Sequence, residues 1–332
     1  MLKLGVSYFG NRFYGHAQKD LDEIARHCNF VVHTFSETDF HYHQSCLKDI
    51  FAYSKKLGLE VWVDPWGVGG VFGGESFSKI LLDNRDCWQR LSNGQYVPAL
   101  CINNREFRRF LKSWIETAGK LGAEVIFWDE PHLFMSPLLE MREIYSCTCM
   151  ACREIFDQLY HQAMPEEIND QLRLFHRKII KEFLVDLFRL TKKKNLKNAL
   201  CLYALAGYPE YDLFWEEIAS APELDIFGCD PYWRLNKKED PAKYVGFFSK
   251  KVYDTCQRNN KEGQIWLQAM SLPEGKEKEI VTAAQSAFQA GIRNFAGWSY
   301  DGGAILDNTQ SSAPEEVKKV LFQAYDSLKK KR

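Results

Sequence analysis

The sequence predicts a single (β/α)8 TIM barrel over residues 1–332, in which eight parallel strands close on themselves inside a layer of helices. Eight strand-like segments alternate with helical stretches, the order typical of this α/β fold. Several of the segments are apolar at consecutive positions, as in strands buried on both faces. A length of 332 residues is ordinary for such a barrel. The predicted strands are 4–10, 29–35, 59–66, 124–130, 198–203, 224–231, 264–269 and 294–300.

Segments with one apolar face predict helices between these strands. Two connections are too long for simple loops and are predicted as insertions, residues 67–103 after the third strand and residues 131–156 after the fourth. The clearest predicted helices are 17–27, 43–57, 104–120 and 167–194.

A glycine-rich stretch, residues 67–74, begins the first insertion. It matches neither GxxxxGK[ST] nor GxGxxG, so it does not predict a phosphate-binding loop. Glycines directly after a barrel strand instead favour a flexible loop beside an active site.

Composition argues against several classes of function. The chain has 43 Lys+Arg against 44 Asp+Glu and no basic stripe, so we expect no nucleic-acid partner. No apolar run approaches the ~20 residues of a membrane span, and the first residues do not resemble a signal peptide. We therefore expect a cytoplasmic protein without a membrane partner, whose ten cysteines stay reduced. The sequence leaves a homo-oligomer open.

Three predicted strands end in an acid followed by proline. Asp129 and Glu130 precede Pro131 at the fourth strand, while Asp64 and Asp230 end the third and the sixth. Because proline disfavours helical backbone in the preceding residue, we expect Glu130 to be extended. The carboxyl ends of barrel strands converge on one rim, so Glu130, Asp129 and Asp230 are the catalytic candidates.

Aromatic residues near these strand ends indicate a carbohydrate ligand. Their rings offer flat apolar faces to the C–H faces of sugars, while carboxylates accept hydrogen bonds from hydroxyls. Trp66, Trp233 and Trp298 are the predicted sugar platforms. The predicted substrate-binding residues are Tyr8, His33, Asp64, Trp66, His132, Tyr232, Trp233, Gln268, Trp298 and Asp301.

The cysteines predict a metal site. Cys147, Cys149 and Cys152 form a CxCxxC motif, and Cys101 lies 46 residues before Cys147. Four thiolates would complete a tetrahedral Zn²⁺ site without an open position, so the zinc would be structural and would join the two insertions. Cys87 is close enough in sequence to compete with Cys101 as the fourth ligand.

The order of these motifs resembles that of the family 42 β-galactosidases. Cys101, a helix at 104–120, Glu130 at a strand end, the CxCxxC motif and Phe156 follow one another as in that family. The resemblance covers roughly residues 98–156. It implies a barrel of the large retaining-hydrolase clan, a structural zinc, and Glu130 as proton donor to the glycosidic oxygen.

Two residues depart from the pattern of that clan. Asp129 occupies the position of an asparagine, and Gln268 occupies the position of the nucleophilic glutamate at the end of the seventh strand. An amide is a poor nucleophile and cannot be an anionic base. The reaction mechanism therefore stays open.

Two mechanisms require a second carboxylate. In an inverting hydrolase, Glu130 would protonate the leaving group while Asp230, Asp64 or Asp301 activates water, with the carboxyl groups about 6.5–9.5 Å apart. In a retaining hydrolase, Glu274 or another acid would be the nucleophile, at about 5–5.5 Å from Glu130.

A third mechanism uses the substrate itself. Asp129 would orient a 2-acetamido group that attacks the anomeric carbon, and Tyr232 would steady the intermediate. The adjacent Asp-Glu pair is similar to that of the β-hexosaminidases, which use this chemistry. In each mechanism Glu130 needs a raised pKa, which burial and Asp129 would provide.

Two other classes of function remain. Gln268 in place of the nucleophile is compatible with a catalytically silent barrel that binds carbohydrate or acts as a scaffold. A non-glycosidic metal enzyme could use His33, His41 or His43 together with the strand-end aspartates, although their spacing matches no HExxH motif.

Overall fold

The computed structural model describes residues 1–9, 12–134, 143–205 and 209–331, except for the side chains of residues 209–212. Within these residues eight parallel strands close into a barrel, and two further strands form a separate hairpin. The strands are β1 (Lys3–Tyr8), β2 (Phe30–Thr34), β3 (Glu60–Asp64), β4 (Trp88–Arg90), β5 (Tyr96–Leu100), β6 (Val125–Asp129), β7 (Lys197–Leu202), β8 (Ile226–Cys229), β9 (Glu262–Gln268) and β10 (Asn294–Trp298).

Helices cover the outside of the barrel, in which β10 pairs with β1 to complete the ring and β3 pairs directly with β6. None of the helices in the described residues is long and apolar enough to cross a membrane. The helices are α1 (Tyr14–His27), α2 (Glu37–Tyr42), α3 (Gln44–Lys56), α4 (Lys79–Asp83), α5 (Arg105–Leu121), α6 (Met150–Tyr160), α7 (Asp170–Lys192), α8 (Pro209–Ala219), α9 (Pro241–Asn259), α10 (Glu279–Gln289) and α11 (Pro314–Lys330).

This architecture confirms the predicted (β/α)8 barrel. Each of the eight predicted strands overlaps an observed barrel strand, and α1, α3, α5 and α7 coincide with the four predicted helices to within a few residues. Two predictions extend beyond the described residues, since the first strand was predicted to reach Gly10 and the second insertion includes residues 135–142.

Large aromatic side chains fill the lower part of the barrel. Phe30 stacks on Trp62 at 4.5 Å between ring centroids, and Phe127 lies 4.6 Å from Trp266. A side chain at Gly5 would overlap the ring of Phe30, so glycine is needed there. The interior is thus a packed core that closes the barrel from below and leaves only its upper end for a ligand.

The first insertion contains a β-hairpin that the sequence analysis does not predict. Strands β4 and β5 pair antiparallel around a turn at Asn93 and Gly94, and Gly94 has a φ of 88°. An Asn-Gly pair between strand-like segments is a known hairpin signal. The hairpin brings Cys101, which directly follows β5, towards the second insertion.

The glycine-rich stretch 67–74 is packed into the fold, unlike the open, flexible loop expected from its sequence. Val68, Val71 and Phe72 are fully buried, and the Phe72 ring contacts Trp128 at 5.5 Å. Its glycines allow the backbone to pass close to side chains of the barrel rim. The segment therefore forms part of the wall of the candidate site.

Candidate active site

A cavity of about 320 Å³ opens at the carboxyl ends of the barrel strands. Its volume is at the lower end of the range for small-molecule sites, about 300–1,000 Å³. Four acids line it, Glu75, Asp129, Glu130 and Asp230. The other side chains that line it are Trp66, Tyr203, Ala204, Leu205, Tyr232, Leu235, Asn236, Met270, Trp298 and Thr309.

Glu130 follows β6 with a left-handed backbone, at a φ of 40°, so the extended conformation predicted from Pro131 is wrong. The Glu130 N–H donates to the Cys201 carbonyl at 3.0 Å, and the His132 N–H donates to the Val71 carbonyl at 3.0 Å. The chain must therefore turn sharply between two fixed points. Such a conformation costs a non-glycine residue about 1–3 kcal/mol.

Glu130 and Asp230 form a hydrogen-bonded carboxyl pair. Burial raises the pKa of Glu130 well above its usual value, and the charge of Asp230 raises it further. Burial also raises the pKa of Asp230 to about 7, although the hydrogen bond from Glu130 lowers it. These opposite effects favour Glu130 as the residue that carries the shared proton. A carboxylic acid with a raised pKa meets the requirement for a general acid.

This contact excludes one predicted role. Because Glu130 and Asp230 are directly hydrogen-bonded, no water molecule fits between them. Asp230 therefore does not sit at the separation of about 6.5–9.5 Å that an inverting base requires. Its Oδ1 atom is buried and has no hydrogen-bond partner among the described residues.

Two further acids lie next to the pair, and a third stands at the entrance. Burial raises the pKa of Asp129, with Glu130 and Glu75 as additional causes. Asp64, 2% exposed, also has a pKa raised by burial and then by Asp129 and Glu130, but it does not line the cavity itself. Glu75 is the most exposed of the acids, and partial burial raises its pKa.

Two of the three predicted platforms stand on one side of the cavity. Trp66 and Trp298 stack on each other with ring centroids 5.8 Å apart and planes at 19°. The Phe9 ring packs edge-on against both tryptophans, with centroid distances of 4.6 Å to Trp66 and 5.2 Å to Trp298. Both tryptophans are at least nine-tenths buried yet contribute to the cavity wall, so each presents a limited apolar face to a ligand.

Trp233 and Gln268 are buried in the protein core and do not line the cavity. Trp233 is fully buried and its Nε1–H donates to Glu279 at 2.8 Å, so the prediction of a third platform is wrong. Gln268 is also fully buried, accepts from the Arg234 N–H at 2.9 Å and donates to the Met270 carbonyl at 3.1 Å. With its amide occupied by backbone groups, Gln268 does not line the cavity.

Three other predicted binding residues also lie outside the cavity. The Tyr8 hydroxyl donates to Asp20 of α1 at 2.6 Å, and His33 pairs with Ser54 of α3 at 3.1 Å. Both side chains point outward, towards the helices. Asp301 lines a separate cavity of about 310 Å³ together with Tyr8. The prediction that Tyr8, His33 and Asp301 contact the same ligand as Glu130 is therefore wrong.

His132, a predicted binding residue, contacts the backbone of Glu130 but does not line the cavity. Its Nδ1–H donates to the Glu130 carbonyl at 2.5 Å, and its ring lies 5.9 Å from that of Tyr203. Burial lowers the pKa of His132, so the ring is neutral near pH 7. Tyr203 in turn donates a hydrogen bond to the Glu130 carboxyl and lines the cavity.

Gly73 fits tightly against the acids, which leads to a test. A Cβ at this position would overlap the Asp129 carboxyl, so we expect Gly73→Ala to destabilise the fold by about 1–3 kcal/mol and to reduce activity. Gly15 in α1 has open space around it, so Gly15→Ala should stabilise by about 0.5–1 kcal/mol. Urea unfolding of both variants measures the difference, and equal effects would contradict the role of Gly73.

Four sulfur atoms meet where the two insertions join. The Sγ atoms of Cys101, Cys147, Cys149 and Cys152 all lie within 4.8 Å of one another, and Cys101 is 3.5 Å from both Cys149 and Cys152. A tetrahedral site with Zn–S bonds of about 2.3 Å needs sulfur atoms about 3.8 Å apart. The observed spacing and the donor set therefore fit a metal ion such as zinc.

Hydrogen-bond donors surround these sulfurs. The backbone N–H groups of Arg90 and Cys149 point at the Cys147 Sγ, each at 3.4 Å, and the Asn103 amide points at the Cys152 Sγ at 3.4 Å. Such donors stabilise thiolates, the form that binds metal. Cys87, the predicted competitor, is not part of the group.

Several residues of the cavity wall were not predicted, and two of them, Glu75 and Tyr203, are titratable. Glu75 lies in a loop after β3, and Tyr203 directly follows β7. Tyr203 could have been found from its place at a strand end. Nothing in the local sequence of Glu75 indicates that its loop folds back over the rim.

The sequence matches no protein-family model. It also matches no curated protein sequence.

Solved structures do share the fold. The catalytic domain of a β-amylase from Paenibacillus polymyxa has a TM-score of 0.66 at 11% identity, with 97% of this chain and 98% of that chain covered. A β-galactosidase from the Antarctic haloarchaeon Halorubrum lacusprofundi has a TM-score of 0.71 at 13% identity, with 98% and 58% covered. One from the psychrophilic Marinomonas ef1 has a TM-score of 0.69 at 13% identity, with 99% and 60% covered.

The chain thus spans about three-fifths of the length of these two β-galactosidases. At 11–13% identity the likeness establishes the barrel fold alone.

Proposed function

We propose that this protein is a glycoside hydrolase that acts on a soluble oligosaccharide or glycoside, with Glu130 as the general acid. One observation carries the proposal: a half-buried Glu130, whose pKa is raised by burial and by Asp230, is hydrogen-bonded to Asp230 in an aromatic-walled cavity at the carboxyl end of the barrel. Solved barrels of similar shape include β-amylase and β-galactosidases, which supports a carbohydrate substrate.

Glu75 is the second carboxylate that we assign to an inverting reaction. It lines the same cavity and is exposed enough to reach solvent, so it can hold the attacking water and accept its proton. Asp230 is already bonded to Glu130, and Asp301 faces another cavity. Glu274, the nucleophile that a retaining mechanism would use, is exposed and does not line the cavity.

Substrate assistance is the competing mechanism. Asp129 and Tyr232 both line the cavity beside Glu130, as this mechanism requires. The two mechanisms differ in product stereochemistry, because a neighbouring acetamido group retains the anomeric configuration and direct attack by water inverts it. A screen of aryl glycosides that includes 2-acetamido sugars, with the first-formed anomer read by NMR, separates them. No turnover on any member of a broad panel would contradict the hydrolase proposal.

The pH profile gives a further prediction, on the alkaline limb of kcat/KM. Activity should fall as pH rises through the raised pKa of Glu130, because the acid then loses its proton. Tyr203 lowers the pKa of Glu130 and Asp230 raises it. Tyr203→Phe should therefore move the alkaline limb to higher pH, and Asp230→Asn should move it to lower pH. Shifts in the same direction for both variants would rule out Glu130 as the titrating group.

We further propose that the four-cysteine group holds one structural Zn²⁺. All four ligand positions would be filled by Cys101, Cys147, Cys149 and Cys152, so the metal would take no part in the reaction. It would brace the hairpin against the loop after β6. Metal analysis of the purified protein should find one equivalent of zinc.

A carbohydrate-binding barrel without activity is the second candidate, because Gln268 fills the place of the usual nucleophile and is bonded to backbone. Saccharide binding without turnover in the parent protein would favour it.

A further inference from the structure

Several acids line the cavity. Glu75, Asp129, Glu130 and Asp230 line it, and Asp64 lies close enough to Asp129 for their charges to interact. Within the described residues, none of the lining side chains is a lysine, arginine or histidine. A bound cation therefore meets carboxyl groups that no basic lining residue neutralises, and its charge would favour their ionised form.

Basic residues that are close in sequence to Phe9 or to the cavity residues are paired elsewhere or exposed. Arg12, which also donates to the Phe9 carbonyl, pairs with Asp39 at 2.6 Å. Arg234 pairs with Glu279, outside the cavity. Lys237 follows the cavity residue Asn236 but is exposed and is not part of the lining. Among the residues that the structure describes, no cation thus neutralises the acids from inside the cavity.

The acids are spread too widely for a preformed inorganic ion site. A divalent ion needs oxygen ligands at about 2.0–2.6 Å, so these oxygens must also lie near one another. Among the described residues, the four cysteines are the group of three or more candidate ligands whose atoms come within 4.8 Å of each other. The acids suit a larger cation, whose several donors reach separate carboxylates.

Asp230 marks the contact point for such a cation. Asp230 is 7% exposed and lines the cavity. Its carboxyl accepts a hydrogen bond from Glu130. Its buried Oδ1 atom has no hydrogen-bond partner among the described residues. A buried oxygen of this kind calls for a donor from the ligand. An ammonium group supplies N–H donors and positive charge together, whereas a hydroxyl supplies the donor alone.

We propose that the cavity selects a saccharide that carries an ammonium group, such as a 2-amino-2-deoxy sugar, and rejects anionic sugars. The inference rests on the proposed carbohydrate function of the same site. The ammonium group binds Asp230 and the neighbouring acids, while the stacked Trp66 and Trp298 contact the sugar ring. A uronate or a sugar phosphate would place its charge among carboxyl groups and is repelled.

Isothermal titration calorimetry at pH 7.5 and low salt tests the proposal, because an Asp230 carboxyl with a pKa of about 7 is mostly ionised there. The ligands are glucosamine and galactosamine, their neutral parents glucose and galactose, the N-acetyl forms, and glucuronate. At least one amino sugar should bind tenfold or more tightly than its neutral parent and its N-acetyl form, and glucuronate should bind most weakly. The preference should decrease as ionic strength rises.

Variants locate the interaction. Asp230→Asn should reduce the preference for the amino sugar to less than threefold, and Glu75→Gln, on an exposed loop, should reduce it in part. Glu274→Gln, an exposed acid outside the cavity, should keep it. Equal affinities for amino and neutral sugars, tighter binding of glucuronate, or no binding of either amino sugar overturns the proposal.

The outcome is separable from that of the hydrolase proposal. Loss of the amine preference in a protein that still cleaves glycosides contradicts only the substrate class. Tight amine binding in a protein without turnover contradicts only the activity.

Discussion

Replacing Glu130 by glutamine is expected to lower kcat/KM for glycosides by about 10²–10⁴-fold, the usual contribution of a general acid. Glutamine has nearly the same shape and can still donate a hydrogen bond to Asp230, but it has no acidic proton for the leaving oxygen. The fold should persist with an unchanged or higher melting temperature, because the substitution removes one buried acid from a crowded group. Steady-state kinetics and thermal melting measure the two effects.

Substrates of different leaving-group ability distinguish an acid from a merely structural residue. A dinitrophenyl glycoside needs little protonation, so Glu130→Gln should retain far more of the parent rate on it than on an alkyl glycoside. Glu274→Gln is the matched control, because Glu274 is exposed and outside the cavity. A parent-like rate of Glu130→Gln on alkyl glycosides would show that the acid has been assigned wrongly.

Cys149→Ser is expected to abolish binding of the proposed zinc and to destabilise the protein by about 2–5 kcal/mol, the range for loss of a native cross-link. The four sulfurs join residue 101 to residues 147–152, so the site closes a long loop in the same way as a covalent cross-link. Elemental analysis and urea unfolding measure both quantities. A chelator should lower the urea midpoint of the parent protein towards that of Cys149→Ser.

Cys87→Ser provides the control for this experiment. Cys87 lies at the start of the hairpin but outside the sulfur group, so its replacement should leave the metal content at one equivalent. One equivalent of zinc in Cys149→Ser, together with unchanged unfolding, would refute the metal site.

The strands and the sulfur group could be predicted because their signals are local. Apolar runs such as Val125–Phe127 mark buried strands wherever they occur. The CxCxxC spacing places three cysteines within six residues, and Cys101, not Cys87, joins them in the sulfur group. The chain order of strands and helices then fixed the barrel.

The direction of side chains could not be predicted in the same way. Both faces of a buried parallel strand are apolar, so the sequence does not tell which face points into the barrel. This is why His33 and Tyr8 were placed in the site although they face the helices. Trp233 was misplaced for a similar reason, since it follows the cavity residue Tyr232 yet packs against α10.

Distances between acids from different strands depend on the whole fold. The sequence indicates that Glu130 and Asp230 share a rim, but their direct hydrogen bond follows from the sharp turn at Glu130 and the register of β6, β7 and β8. The position of Glu75 depends in the same way on the packing of residues 67–74. Distances of this kind depend on contacts between residues far apart in the sequence, so local sequence patterns do not predict them.

The left-handed backbone of Glu130 sets a limit for protein engineering. Glu130→Gly would relieve both the strained turn and one buried acid, so it belongs to the class of substitutions that raise thermal resistance. The same change would delete the proton donor. A library of variants ranked by heat resistance alone would therefore enrich inactive proteins at this position, and any stabilised version has to gain its free energy elsewhere in the barrel.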